Sequence, residues 1–127
     1  MLTGFRFVHP VELRFSDLDA MGHVNNAVFL TYLEEARIAY LLRFKAGVEE
    51  MIMARVEVDF RAPLRSGDEL EIGVRPFSVG TKSFQLEYVV RSGETVAAEA
   101  KTVIVSYDYE SGRPVELPET WKEALAA

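Results

Sequence analysis

Asn26-Ala27-Val28-Phe29-Leu30-Thr31-Tyr32-Leu33-Glu34-Glu35-Ala36-Arg37-Ile38-Ala39-Tyr40-Leu41-Leu42-Arg43-Phe44-Lys45 contains no Gly or Pro and is rich in good helix formers. Asn25 or Asn26 can cap its start and Gly47 can end it, so the spacing predicts one long helix over 26–45. On a helical wheel Thr31, Glu34, Glu35, Arg37 and Lys45 fall largely on one half. Val28, Phe29, Leu33, Ala36, Tyr40 and Phe44 are among the residues covering the rest. So wide an apolar face predicts a helix enclosed by sheet.

Outward from this helix the periodicity changes from helical to alternating. Before it, Val11, Leu13 and Phe15 alternate with Glu12 and Arg14, which predicts a strand over these residues and then a polar loop. After it, alternation runs through 52–61, 69–77, 81–91 and 95–107, with turn residues at 63–68, Gly80 and 92–94 between the segments. Val56, Val58 and Phe60 oppose Arg55, Glu57 and Asp59, while Phe84, Leu86, Tyr88 and Val90 oppose Ser83, Gln85, Glu87 and Arg91. Each strand therefore has one dry and one wet face. With a short terminal helix over 118–125, this predicts an α+β domain spanning 1–127, in which an antiparallel sheet of about five strands wraps one long central helix.

The composition fits a soluble globular chain: 127 residues, 49% hydrophobic and 27% charged. Twenty Asp and Glu against fourteen Lys and Arg leave a formal charge of −6, which argues against nucleic acid or an anionic membrane as partner. Cysteine is absent and no basic, apolar leader follows Met1, pointing to a reducing cytoplasm. His9 and His23 lie far apart and the acids lack ligand spacing, so no metal site is expected. Phosphate-loop and serine-elbow patterns are missing as well.

The chemistry concentrates in 15–26, Phe-Ser-Asp-Leu-Asp-Ala-Met-Gly-His-Val-Asn-Asn, where two carboxylates, a histidine and two carboxamides precede the helix. The free N–H groups of a helix start, around Asn26 and Ala27, suit a carbonyl oxygen that becomes negative during acyl transfer. A nearby carboxylate can then attack the acyl carbon or activate water. Alone, Asp17 reads as a turn aspartate bonding backbone, and Glu34 with Arg37 as a surface pair.

The string from Asp17 to Asn26, reinforced by Phe60-Arg61-Ala62-Pro63-Leu64, Gly67-Asp68 and Gly80-Thr81-Lys82-Ser83-Phe84, resembles the hot-dog-fold acyl-CoA thioesterases of the 4-hydroxybenzoyl-CoA thioesterase type. The resemblance implies hydrolysis of an acyl-CoA to free acid and CoA, with no cofactor besides the CoA of the substrate. It also implies a homodimer with sheets edge to edge and active sites at the interface, or a homotetramer of such dimers. Asp19 then becomes the catalytic carboxylate, as nucleophile or general base, and the backbone amide of Asn26 the oxyanion donor.

His23 joins the catalytic candidates because Gly22-His23-Val24-Asn25-Asn26 also resembles plant-type acyl-carrier-protein thioesterases. Met21 stands where those enzymes have an asparagine. The substrate-binding positions implied are Gly22, Lys82 and Ser83, with Lys82 as the cation for coenzyme phosphates in an otherwise acidic chain. Arg61, Arg65, Arg75 and Arg91 read equally well as solvated charges. Glu35 is a reserve catalyst, since a related branch of hot-dog thioesterases uses a helix glutamate. Met21, Phe29 and 51–53 are candidates for the acyl pocket. Two other readings are a carrier-protein thioesterase and an acyl-binding module without catalysis.

Overall fold

The computed structural model describes residues 4–44 and 50–126. Its elements are β1 (Phe7–Val11), a one-turn 3-10 helix (Phe15–Asp17), α1 (Asn26–Leu41) with a 3-10 extension (Leu42–Phe44), and β2 (Met51–Phe60). They continue with β3 (Leu70–Val79), β4 (Ser83–Ser92), β5 (Thr95–Asp108), the two-residue β6 (Arg113–Pro114) and α2 (Glu119–Ala126). The main sheet runs β1-β3-β4-β5-β2, every pairing antiparallel, with β6 attached to the end of β5. The predicted helix end at Lys45 and its stop at Gly47 lie outside the described residues.

The helix buries Phe29, Tyr32, Leu33, Ala36, Tyr40 and Leu41, which recur at the helical period and meet the inner face of the sheet. From the sheet, Ile72, Val74, Phe84, Leu86, Tyr88, Val90, Ala98 and Ile104 complete the core. The dry face expected on β4 is the buried one, residue for residue. At the Met51 end of the sheet α2 closes the core, its Trp121 ring lying 5.3 Å from Phe44 and 6.2 Å from Phe84.

Three sequence expectations change. The strand expected over 11–15 instead ends at Val11, the last residue to pair, opposite Leu70. Beyond it the Asp17 carboxylate accepts the Arg14 N–H at 3.0 Å and bends the chain into a 3-10 turn, leaving Phe15 89% exposed. Pro10 sits in β1 without penalty because that strand is an edge. The strand placed over 81–91 starts at Ser83, since Gly80 N–H bonds the Ser83 carbonyl and closes a turn. Finally, the helix is not enclosed on all sides: Leu30, Ile38 and Leu42 stay exposed, and Val56 and Val58 on β2 are only half-buried. Leu30 and Val56 line one recess between α1 and β2.

Candidate active site

Between β1 and α1 the chain folds back on itself as a tight hairpin. Leu18 bridges Val24, Asp19 N–H bonds the His23 carbonyl at 2.7 Å, and Gly22 N–H bonds the Asp19 carbonyl at 3.0 Å. The turn needs φ of +79° at Gly22, a region open to glycine at no steric cost. The returning arm is tied to the segment after β2, where Val24 N–H meets the Leu64 carbonyl at 2.8 Å and His23 bridges Arg65. Gly22 thus shapes the loop that carries Asp19 and does not line the cavity below.

Asp19 Oδ1 accepts the N–H groups of Met21 at 2.9 Å and His23 at 3.2 Å, which fixes the carboxylate plane. Among the described residues no donor bonds Oδ2, so one carboxylate oxygen is oriented and open. Asn25 is the helix cap, its Oδ1 accepting the Ala27 N–H at 2.8 Å, and its carbonyl takes the Val28 N–H at 2.9 Å. Ala27, expected to share the oxyanion role, already has its amide occupied. The Asn26 N–H has no hydrogen-bond partner among the described residues, leaving it as the first-turn donor for an incoming carbonyl.

Asp19, His23 and Asn26 line one shallow cavity of about 290 Å³ together with Val24, Phe29, Phe60, Arg61, Ala62 and Pro63. Its apolar wall is built by Phe29 and Phe60, whose rings meet edge to face at 5.2 Å. Next to it, Met53 and Val56 of β2 and Leu30 and Leu33 of α1 line a second recess of about 180 Å³, with Arg37 and Thr102 among its polar residues. Of the acyl-pocket candidates, Phe29 lines the first cavity and Met53 the second, while Met21 points into solvent at 78% exposure. Glu35 is exposed on α1 and absent from both cavities.

Asp17 has a different environment from Asp19. It is 3% exposed, and its carboxylate receives the Tyr32 hydroxyl at 2.6 Å and the Arg14 guanidinium at 3.2 Å besides the Arg14 N–H. Burial alone would push its carboxyl up; the Tyr32 hydroxyl and the Arg14 groups outweigh that and hold it below the usual carboxylate range. Tyr32 is pushed up by burial and by its hydrogen bond to the negative Asp17. The Asp17 to Tyr32 contact was not legible in the sequence, because its partners stand fifteen positions apart on a loop and a helix.

Lys82 and Ser83 do not join this cavity within one chain. Their turn lies at the Met51 end of the sheet, where the Lys82 carbonyl accepts the Ser106 N–H and Ser106 pairs with Met51. The cavity lies at the Phe60 end, a strand length of about 30 Å away at roughly 3.3 Å per residue. Among the described residues no group of three or more His, Asp or Glu is placed to hold a metal ion, and no helix is long and apolar enough to cross a membrane.

A long helix set against an antiparallel sheet of this strand order matches a known class of protein. The sequence profile of the Thioesterase-like superfamily covers residues 13–125. A thioesterase of Thermus thermophilus, solved with coenzyme A and zinc, superposes with a TM-score of 0.91 at 40% identity over 98% of this chain and 94% of its own. A 1,4-dihydroxy-2-naphthoyl-CoA hydrolase of Nostoc punctiforme is 31% identical over 89% of this chain and 82% of its own length. The acyl-CoA thioester hydrolase YbgC of Escherichia coli is 29% identical over 93% and 92%. The chain belongs to the thioesterase-like superfamily: it is a hot-dog-fold thioester hydrolase.

Proposed function

We propose that this chain hydrolyses acyl-CoA thioesters to free acid and CoA, with Asp19 as the catalytic carboxylate and the Asn26 N–H as oxyanion donor. The observation that carries this reading is the convergence of an oriented carboxylate and an unpartnered helix-start amide on one cavity. A thioester carbonyl seated on Asn26 N–H presents its carbon to Asp19 Oδ2. That oxygen either attacks, breaking the C–S bond to leave a mixed anhydride that water then hydrolyses, or takes a proton from water as water attacks. Both routes release the thiol and end in a free carboxylic acid. The helix start stabilises the negative oxygen of the tetrahedral intermediate. His23 borders the same cavity and supplies an imidazole within reach of the acyl group or of water.

The placement of Lys82 supports a dimer. Among the described residues strand β2 pairs only with β5, and its other edge leaves backbone donors and acceptors open beside the exposed Met53 and Leu30. An open apolar edge is a liability that pairing with a second copy removes. If β2 pairs antiparallel with its own copy, the direction reverses across the interface. The partner's Lys82 and the partner's Ser83 then come to the Phe60 end, where a coenzyme reaching out of the cavity places its phosphates. Association of such dimers gives a tetramer. The carrier is tested by thiol release: CoA esters turn over, and Lys82→Glu raises KM for them about tenfold or more with kcat retained. Activity on carrier-protein esters alone would replace CoA as the carrier. Tight acyl-CoA binding with no turnover by the folded protein would make it a binding module.

A further inference from the structure

Asp17 and Tyr32 are not in the cavity, yet they join its two halves. The Asp17 backbone carbonyl accepts the N–H of Asn25, the helix cap, at 3.0 Å. Its side chain reaches Tyr32, almost two turns into α1, through a 2.6 Å hydrogen bond in which both partners are buried. The same carboxylate holds the Arg14 N–H and guanidinium, fixing the outgoing arm of the loop that bears Asp19. One residue therefore ties the carboxylate-bearing loop to the helix whose N-terminus supplies the oxyanion donor. An unpaired buried carboxylate is costly, so this spacing is defended by the free energy of losing any of the donors.

We propose that Asp17 and Tyr32 form a positioning pair for the hydrolysis, setting the separation between Asp19 and the Asn26 N–H. The proposal rests on the reading of Asp19 and Asn26 given above. Neither residue touches substrate. Their effect is on geometry, where displacement by about an ångström costs up to a hundredfold in rate. Because the pair acts on the step and not on coenzyme binding, it changes kcat while leaving KM in place.

The test compares Tyr32→Phe, which removes only the hydroxyl, Asp17→Asn, which keeps one acceptor oxygen, and Ile72→Val, a core truncation on the sheet away from the loop. Each is assayed with an acyl-CoA ester that the wild type hydrolyses, well below its own melting temperature. Tyr32→Phe and Asp17→Asn are expected to lose about tenfold or more in kcat with KM within about twofold. The double variant should lose little more than the worse single, because both weaken the same Asp17 to Tyr32 contact. Ile72→Val lowers Tm and keeps kcat. A second readout is free of activity: the Met21, His23 and Asn25 amides should exchange with solvent about tenfold faster in Tyr32→Phe and unchanged in Ile72→Val. Wild-type kcat and wild-type amide exchange in folded Tyr32→Phe would overturn the pair. A wild type inert on all thioesters, with the loop amides still loosened in Tyr32→Phe, would overturn the hydrolase reading and keep the coupling of loop to helix.

Discussion

Asp19 and Asp17 stand two residues apart and are used in opposite ways. Asp19 is exposed, holds two loop amides with one oxygen and turns the other outward; Asp17 is buried and fully engaged. The two carboxamides divide similarly. Asn25 caps α1, so Asn25→Ala should destabilise the protein by about 1 kcal/mol in chemical denaturation. Asn26→Ala removes no cap and leaves the N–H in place, so both stability and kcat should stay near wild type; a large loss of either would show a further role for that side chain. Asp17 also sets an acid limit. Its carboxyl lies below the unfolded value in the folded state, so the stability it contributes is present above about pH 4 and is lost as pH falls through the lower folded value. Asp17→Asn should therefore flatten the acid limb of a Tm against pH curve. The raised Tyr32 works in the other direction: its contribution holds below about pH 10 and fades as pH rises past that, so Tyr32→Phe should flatten the alkaline limb. The residue types of the site were legible in the sequence as a cluster before a helix. Which asparagine caps, and which amide is left open, depend on backbone geometry that residue order does not encode.

The helix and four of the strands follow from periodicity, because each buries one face and the pattern records that face directly. Alternation failed over 11–15, where Leu13 and Phe15 imitate a strand while a local side-chain bond to Arg14 turns the chain. It also overstated burial on β2, whose apolar residues face a groove that one chain leaves open. On the outer face of the sheet, Phe5 lies across Gly73, where an added Cβ would come within 2.8 Å of the ring, and Arg75 sits over that ring at 4.2 Å. A side chain at 73 thus displaces the segment before β1. Gly73→Ala should cost about 1–3 kcal/mol by overpacking, with Phe5 shifted in the NMR spectrum. An unchanged Phe5 environment and unchanged stability would contradict that packing.

For the molecule as a whole, the decisive feature is the distance between Asp19 and Lys82 in one chain, which the proposed antiparallel pairing of two β2 edges would close. The sequence places both residues in recognisable motifs but carries nothing about which copy serves which site. Subunit mixing reads it out. In a heterodimer of one Asp19→Asn chain and one Lys82→Glu chain, a shared site puts both defects into one cavity and leaves the other intact, so about half of wild-type activity per dimer should return. Sites built within one chain would leave each cavity with one defect, so at substrate well below the KM of Lys82→Glu, the condition for this assay, little activity would return. Beneath that lies the claim that the loop carboxylate performs thioester hydrolysis. The most direct measurement is thiol release from short, long and aromatic acyl-CoA esters by the wild type and by Asp19→Asn. The amide oxygen of Asn can still accept the Met21 and His23 N–H groups, so this variant keeps the loop. Turnover by the wild type on at least one ester, with a loss of about a hundredfold or more in folded Asp19→Asn, is the predicted result. Equal turnover by both proteins would contradict the role of Asp19 and shift the catalytic assignment to His23.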